Sequence, residues 1–400
     1  MTTESNGILY EEGVFPLRVE TLCEMIGTPC SLHGVLPTTE LHAISATDNG
    51  RPEPGSLYLP YEAPDDQLRW AVSQGAAAVL TDHVVEGLPC IVVEDVLDAV
   101  CRFSARLYEK IGLPAVTVSG SEGKTTTKHM VYSVLRQEKK AFCKLGNYNS
   151  LHALCCLLPK LTRGTQVVIH EVDESREFNT LHCSKVLHPD IALVTNIAES
   201  HIGLFGGKEG LTESFRGITA GLKEDGVVIL NADDADSMAA GFDAPVLTVG
   251  IRSENADCRA VNLRTTPGGT EFDLLYRDER VHVTLPVFGE HNVYNAMMAY
   301  LVGVRMGVSR EGILRGLAEF RNKGIRQNVC SFCGTLVYAD CYNASPTSIH
   351  YALKCFDDLC PRAAGAASPC WATSPRSRAL KRRPTAALPN RSKMRALTCW

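Results

Sequence analysis

The chain has 400 residues, 45% hydrophobic and 21% charged, the proportions of a soluble globular protein with two or three packed domains. The start, Met1-Thr2-Thr3-Glu4-Ser5-Asn6-Gly7, lacks the basic head and apolar run of a secretory signal, and no apolar stretch is long enough to span a bilayer, so a cytoplasmic protein is expected. The net charge of −5 divides into 31 basic against 45 acidic residues over positions 1–360 and nine Lys or Arg with no acid over 361–400; an acidic body argues against nucleic-acid binding.

The sixteen cysteines, among them Cys155, Cys156 and Cys183, lie in apolar stretches without the spacing of a disulfide scaffold and read as free thiols. Cys330 and Cys333 form a C-x-x-C that lacks a second pair or nearby histidines to complete a zinc site, so it reads as coincidence.

Residues 1–114 read as a small α/β domain. Gly34-Val35-Leu36 and Ser56-Leu57-Tyr58-Leu59 predict short strands, and residues 68–78 predict a helix through Leu68, Ala71 and Val72. The apolar runs 76–80 and 91–93 have strand length, and Leu113-Pro114 marks a boundary.

Residues 115–325 alternate strands and helices, the pattern of a mostly parallel sheet with helices on both faces. Strands are predicted at 115–119, 167–170, 191–195, 227–230 and 246–249. The stretch 258–287 alternates around Pro267-Gly268-Gly269, which predicts an antiparallel hairpin, and helices follow at 292–306 and 310–320. Residues 326–360 give one strand at 335–339 and a helix to about 359, the start of a third α/β domain. Residues 361–400, rich in Ala, Arg, Pro and Ser, read as a disordered basic tail.

The β-branched strand Val116-Thr117-Val118-Ser119 runs into Gly120-Ser121-Glu122-Gly123-Lys124-Thr125-Thr126, with a helix expected from about Thr125. Glycines let the backbone curl so that its N–H groups face an anion, and a helix N-terminus adds partial positive charge. Lys124 supplies a full charge for phosphates, and Thr125 offers a hydroxyl to Mg²⁺. The common phosphate-loop pattern has a further glycine where this chain has Val118.

Glu171 follows the strand Ile169-His170 and, at the carboxyl end of a parallel strand, can reach a ligand; alternatively it is a solvated loop carboxylate beside Asp173 and Glu174. His201 closes Thr195-Asn196-Ile197-Ala198-Glu199-Ser200, and a lone histidine is more often structural. Asn292 and Asn295, in Gly289-Glu290-His291-Asn292-Val293-Tyr294-Asn295, share a helix face, although Asn292 also suits a helix cap.

Over residues 40–360 these segments resemble the Mur ligases, the enzymes that build the peptide stem of bacterial cell-wall precursors. The shortened G-x-x-G-K-T-T loop is similar to theirs. Asp340-Cys341-Tyr342-Asn343-Ala344-Ser345-Pro346 and Gly146-Asn147-Tyr148-Asn149 resemble motifs of the branch that adds D-alanyl-D-alanine. The resemblance implies ATP and Mg²⁺ as cofactors, a carboxylate activated as an acyl phosphate, and attack by an amine. The implied substrates are UDP-N-acetylmuramoyl-tripeptide and D-alanyl-D-alanine, with no nucleic acid, and a monomer is expected. It further implies Lys124, Glu171 and His201 as catalytic residues and Thr125, Glu171 and His201 as metal ligands. The residues from Gly120 to Thr126, with Asn292, Asn295, Arg326 and Asp340, would hold the nucleotide. Asp48, Asn147, Asn149, Tyr342 and Asn343 would face the other substrates.

The chain departs from the family in three places. Gly50 stands where an arginine of the uridine-nucleotide motif is usual, although Asp48 matches. The family's carbamylated lysine falls in the stretch Thr212-Glu213-Ser214-Phe215-Arg216-Gly217-Ile218, which has none, and Glu213 is not expected to replace it. The last domain gives way to the basic tail. Back-translating Ser368-Pro369-Cys370-Trp371-Ala372-Thr373-Ser374 and reading two nucleotides later forces Leu-Gly and permits Ala-Val-Leu-Gly-Asp-Ile, similar to a segment of the family's last domain, so a frameshift is the expectation. The alternatives are a remnant that only binds ATP–Mg²⁺ and a Mur-type ligase adding a different amino acid.

Overall fold

The structure, a computed structural model, describes residues 15–46, 50–60, 63–144, 148–161, 164–174, 179–198, 202–322, 327–332, 335–340, 349, 352–355, 366–372 and 393–399. The chain divides into two compact units, one of residues 1–128, 139–230 and 234–247, the other of 129–138, 231–233 and 248–400.

In the first unit, β1 (Leu17–Arg18), α1 (Val19–Ile26), β2 (Ser31–His33), β3 (Glu40–Leu41), β4 (Ala43–Ala46) and β5 (Ser56–Leu59) precede α2 (Asp65–Ser73), β6 (Ala78–Thr81), β7 (Cys90–Val92) and α3 (Val96–Ile111). Strands β2-β7-β6-β5-β4 form one sheet, parallel except for β2. Two predicted elements shift. The strand expected at Gly34-Val35-Leu36 lies at Ser31–His33, because Gly34 takes a left-handed φ of 65° and Leu36 is exposed. The helix expected at 68–78 begins at Asp65 and ends before Gln74 and Gly75, whose φ is 108°.

Helix α3 shows why this part of the chain folds as it does. Asp95 caps it by accepting from the Asp98 amide at 2.9 Å, and Gly112 closes it in the left-handed region. Its apolar residues Val100, Phe103, Leu107 and Ile111 recur at helical spacing and are fully buried. Each such side chain contributes about 1.5–3 kcal/mol through burial.

The same unit continues with β8 (Ala115–Ser119), α4 (Lys124–Leu135, entering the second unit at His129), β9 (Ala141–Cys143), α5 (Leu151–Leu157), β10 (Val167–Glu171), α6 (Asn179–Leu187), β11 (Ile191–Val194), α7 (Lys208–Arg216), β12 (Val227–Asn231) and α8 (Ala235–Ala239). Strands β9, β10, β8, β11 and β12 lie side by side in that order, all parallel. The residues of β8, β10 and β11, and those of β12 up to Leu230, are buried on both faces, as a sheet covered by helices requires. β8 lies between β10 and β11, where the winding of the chain reverses, and ligands of such sheets sit beyond the carboxyl ends of the strands at that point. A continuous core joins α1, α3, α5 and α6, so side chains on both sides of Leu113-Pro114 pack together.

β13 (Val246–Gly250), which enters the second unit at Thr248, pairs in parallel with β14 (Cys258–Thr266). β14, β15 (Gly269–Tyr276) and β16 (Glu279–Leu285) form an antiparallel meander, one strand more than the predicted hairpin. α9 (Glu290–Arg305) and α10 (Arg310–Ala318) follow. β17 (Asn328–Phe332) pairs antiparallel with β18 (Thr335–Ala339). In the tail, β19 (Ala366–Ala372) and β20 (Lys393–Cys399) pair in parallel. Composition carries no signal for a backbone ladder between stretches so far apart in sequence. Among the described residues no helix is long and apolar enough to cross a membrane.

Candidate active site

The phosphate-type loop leaves the carboxyl end of β8. Gly120 (φ 131°) and Gly123 (φ 81°) take conformations that L side chains avoid, and a Cβ on Gly120 would strike Thr195. The end of β11 builds the outer wall of the loop. Ser121 donates its amide to the Asn196 carbonyl at 2.9 Å and its hydroxyl to the Ala198 carbonyl at 3.1 Å. The Asn196 side chain accepts from the Glu122 amide at 3.1 Å, and Thr195 donates to the Glu122 carbonyl. Asp234, the cap of α8, accepts from the Ile197 amide at 2.8 Å and holds this wall.

α4 starts at Lys124, one residue before the predicted position. Lys124 curls back: its Nζ donates to the carbonyls of Gly120 (2.6 Å) and Ser121 (3.3 Å) and pairs with Glu174 at 2.7 Å. Thr125 donates to Glu171 Oε1 at 3.1 Å, and Asn149 donates to the same oxygen at 3.4 Å. Glu171 is the last residue of β10 and is 2% exposed, which removes the reading as a solvated loop carboxylate. Its second oxygen lies 2.8 Å from Lys128 Nζ, both side chains being 2% exposed. Burial pushes the Glu174 carboxyl up to about 7, against the pull of Lys124. Burial, with the charge of Lys128, pushes the His170 imidazole down to about 3, so that ring is neutral.

Lys128, Glu174 and Asn196 carry no motif and were not singled out by the sequence. The available signal for Lys128 was its position one helical turn after Lys124, on the face that Glu171 meets.

The oxygen set of Thr125, Glu171 and Glu174 suits a hard divalent cation such as Mg²⁺, which takes one or two carboxylates and completes its shell with phosphate oxygens and water. Glu174 Oε1 is buried and has no hydrogen-bond partner among the described residues, so the residues present fit such a group. Among the described residues no three His, Cys, Asp or Glu side chains converge into a preformed metal cage.

In the second unit the start of α9 is a separate constellation. The helix begins at Glu290 with Gly289 (φ 94°) as its cap, so Asn292 is inside the first turn and is not the capping residue. Asn292 donates to the Phe288 carbonyl and to Gln327 Oε1, each at 2.8 Å, and its own oxygen accepts from Asn295 at 3.2 Å. Gln327, also bonded to His291, is a further member that the sequence did not flag. Burial pushes the His291 imidazole down, with Gln327 opposing. Tyr294 donates to Asp233 at 2.7 Å, and Arg252 donates to the Tyr294 hydroxyl at 2.9 Å.

Gly120, Ser121, Glu122, Gly123, Lys124, Thr125, Thr126, Asn149 and Glu171 thus gather at one end of the parallel sheet of the first unit, and Asn292 and Asn295 gather in the second. Asp340 directly follows β18 and is half-buried. Asp48, Asn147, His201, Arg326, Tyr342 and Asn343 lie outside the described residues. Where the resemblance implies a lysine, Phe215 is fully buried among Ala192, Val194, Leu211 and Ile218. Glu213 faces solvent and pairs with Arg216 at 2.7 Å.

Comparison with known proteins follows this geometry. Residues 118–303 match the Mur ligase middle domain. The chain is 30% identical over 330 residues to the UDP-N-acetylmuramoyl-tripeptide–D-alanyl-D-alanine ligase of Bacillus subtilis, covering 80% of this chain and 71% of that one. It is 28% identical over 322 residues to the ligase of the same name from Escherichia coli, covering 78% and 71%. The crystal structure of MurF from Acinetobacter baumannii superposes with a TM-score of 0.78 at 24% identity, covering 90% of this chain and 79% of that one. MurF from Thermotoga maritima in complex with ADP superposes with a TM-score of 0.69 at 21% identity, covering 83% and 76%. At these identities the two structures establish a shared fold.

Proposed function

This chain belongs to the Mur ligase family, and from that membership we propose that it joins D-alanyl-D-alanine to UDP-N-acetylmuramoyl-tripeptide, forming an amide bond at the expense of ATP in peptidoglycan precursor synthesis. The observation that carries the reading is the phosphate loop at the carboxyl end of β8, with Thr125 and Glu171 hydrogen-bonded at its mouth. When bound, ATP with Mg²⁺ supplies the phosphoryl group that activates the acceptor carboxylate.

The chain's own residues do the rest. Lys124 and the main-chain amides from Ser121 onward neutralise charge spread over phosphate oxygens, in a fixed frame that needs little reorganisation. Thr125, Glu171 and His201 would hold the divalent cation. Lys128 holds Glu171 in place as its counter-ion. Asn292 and Asn295 would hold the nucleotide base, and Arg326 and Asp340 its ribose and phosphates. Asn147, Asn149, Tyr342 and Asn343 would meet the peptide substrates, and Asp48 the uridine nucleotide. Holding both reactants lowers the entropic cost of bringing them together. A monomer working in the cytoplasm completes the proposal.

The test is phosphate release from ATP and Mg²⁺ with UDP-N-acetylmuramoyl-tripeptide, with and without D-alanyl-D-alanine, beside a chain restored to the alternative reading frame expected for the tail. Release that needs both substrates supports the proposal for these 400 residues. Release by the restored chain alone assigns the activity to the longer form and leaves this chain as a nucleotide binder. Release by neither chain overturns the proposal.

A further inference from the structure

Two lysines and two carboxylates meet at the mouth of the phosphate loop, and they are not equivalent. Glu171 has Lys128 as its counter-ion, 2.8 Å away, and both side chains are almost completely buried. Glu174 has Lys124, whose remaining donors go to the loop carbonyls of Gly120 and Ser121. An ammonium has three N–H donors, and those of Lys124 go to Glu174 and the two loop carbonyls. Phosphates entering the loop compete for that ammonium, whereas Lys128 stays with Glu171. Binding therefore leaves Glu174 short of positive charge in a place water does not reach: its side chain is 0% exposed, and Oε1 has no hydrogen-bond partner among the described residues. The main chain at this point is fixed, because Ser214 on α7 donates to the Glu174 carbonyl at 3.2 Å. A buried carboxylate that loses its counter-ion needs another, and a hard divalent cation meets both its charge and its oxygen chemistry.

We propose that Glu174 is a second carboxylate ligand for the divalent cation of the nucleotide complex, exchanging Lys124 for the cation when nucleotide binds. This rests on the ATP-dependent reading above and adds to it a ligand that the motifs do not contain. It also gives this chain a protein carboxylate at the site, although α7 carries the buried Phe215 where the resemblance implies a lysine.

The experiment uses the full chain and two probes. Mn²⁺ is titrated into the ADP-saturated protein and followed by electron paramagnetic resonance, and ADP binding without divalent cation is measured by calorimetry. For Glu174→Gln, Mn²⁺ affinity in the ADP complex is expected to fall about tenfold or more, while cation-free ADP binding does not weaken. Mn²⁺ affinity within twofold of the parent, with tighter cation-free ADP binding, would show Glu174 to be only the counter-ion of Lys124 and overturn the proposal. Should Glu174→Gln fail to fold, Glu174→Asp, which keeps the charge and withdraws it by one methylene, gives the same reading: weaker Mn²⁺ binding supports the proposal and unchanged binding overturns it. A parent chain that binds no ADP at all removes the nucleotide reading itself, an outcome distinct from a parent that binds ADP while the variants bind Mn²⁺ as it does.

Discussion

Lys128 and Glu171 form an ion pair 2.8 Å long with both side chains 2% exposed. It ties the first turns of α4 to the last residue of β10, the two elements that carry the phosphate loop and the proposed acidic metal ligand. Removing one partner of a buried pair strands the other as an uncompensated charge. Lys128→Met is therefore expected to lower the free energy of unfolding by about 3–5 kcal/mol. Urea denaturation checks this, and a loss below 1 kcal/mol would mean that the pair is hydrated in solution.

Lys124 and Thr125 are the two loop side chains proposed to meet the nucleotide, one as charge and one as hydroxyl. Lys124→Met is expected to reduce phosphate release by about 10²-fold or more, the scale for losing a donor aimed at developing charge. Thr125→Ala should raise the Mg²⁺ concentration needed for half-maximal rate. Steady-state kinetics over a Mg²⁺ series separates the two effects.

Gly120 has φ 131°, and any Cβ there meets Thr195. Gly120→Ala should push the loop off the end of β11 and abolish the rise in thermal midpoint that ADP produces. A variant that ADP stabilises as fully as the parent would show that the loop tolerates a displaced wall.

Tyr294 and Asp233 test the start of α9. Tyr294→Phe removes a hydrogen bond to an ionised group, a loss of about 1.5–3 kcal/mol, and is expected to raise the KM for ATP more than it lowers kcat. A variant with an unchanged KM would confine this contact to stability.

The same carboxylate gives a pH dependence. Burial pushes the Asp233 carboxyl up, but the amides of Arg252, Ile251 and Ser253 and the Tyr294 hydroxyl outweigh it and hold it below its ordinary range. A depressed carboxylate contributes stability that is fully present above the unfolded value, about 3.9, and is lost as pH falls through the lower folded value. Asp233→Asn should flatten the acid limb of the stability curve without altering its slope near neutrality. Unfolding measured from pH 7 down to about 3 checks this; parallel acid limbs for parent and variant would refute it.

Much of the site was legible because its chemistry is local. The strand at 115–119, the glycines and Lys124-Thr125 are consecutive, and short-range sterics decide their conformation. The strand at 335–339 and the antiparallel character of 258–287 followed in the same way from alternation. Local patterns failed where a single glycine ended an element, at Gly34 and at Gly75. They also gave no indication that the tail pairs 366–372 with 393–399.

The sequence by itself determined the α/β class, the phosphate loop and the likeness to amide-forming ligases, because each rests on residues adjacent in the chain. Only the tertiary structure decided the electrostatics. It joined Lys128 to Glu171 across 43 positions and Lys124 to Glu174 across 50, and it joined Tyr294 to Asp233 across 61. Which charges share a low-dielectric interior is set by the packing of elements far apart in sequence, and no periodicity or motif encodes it.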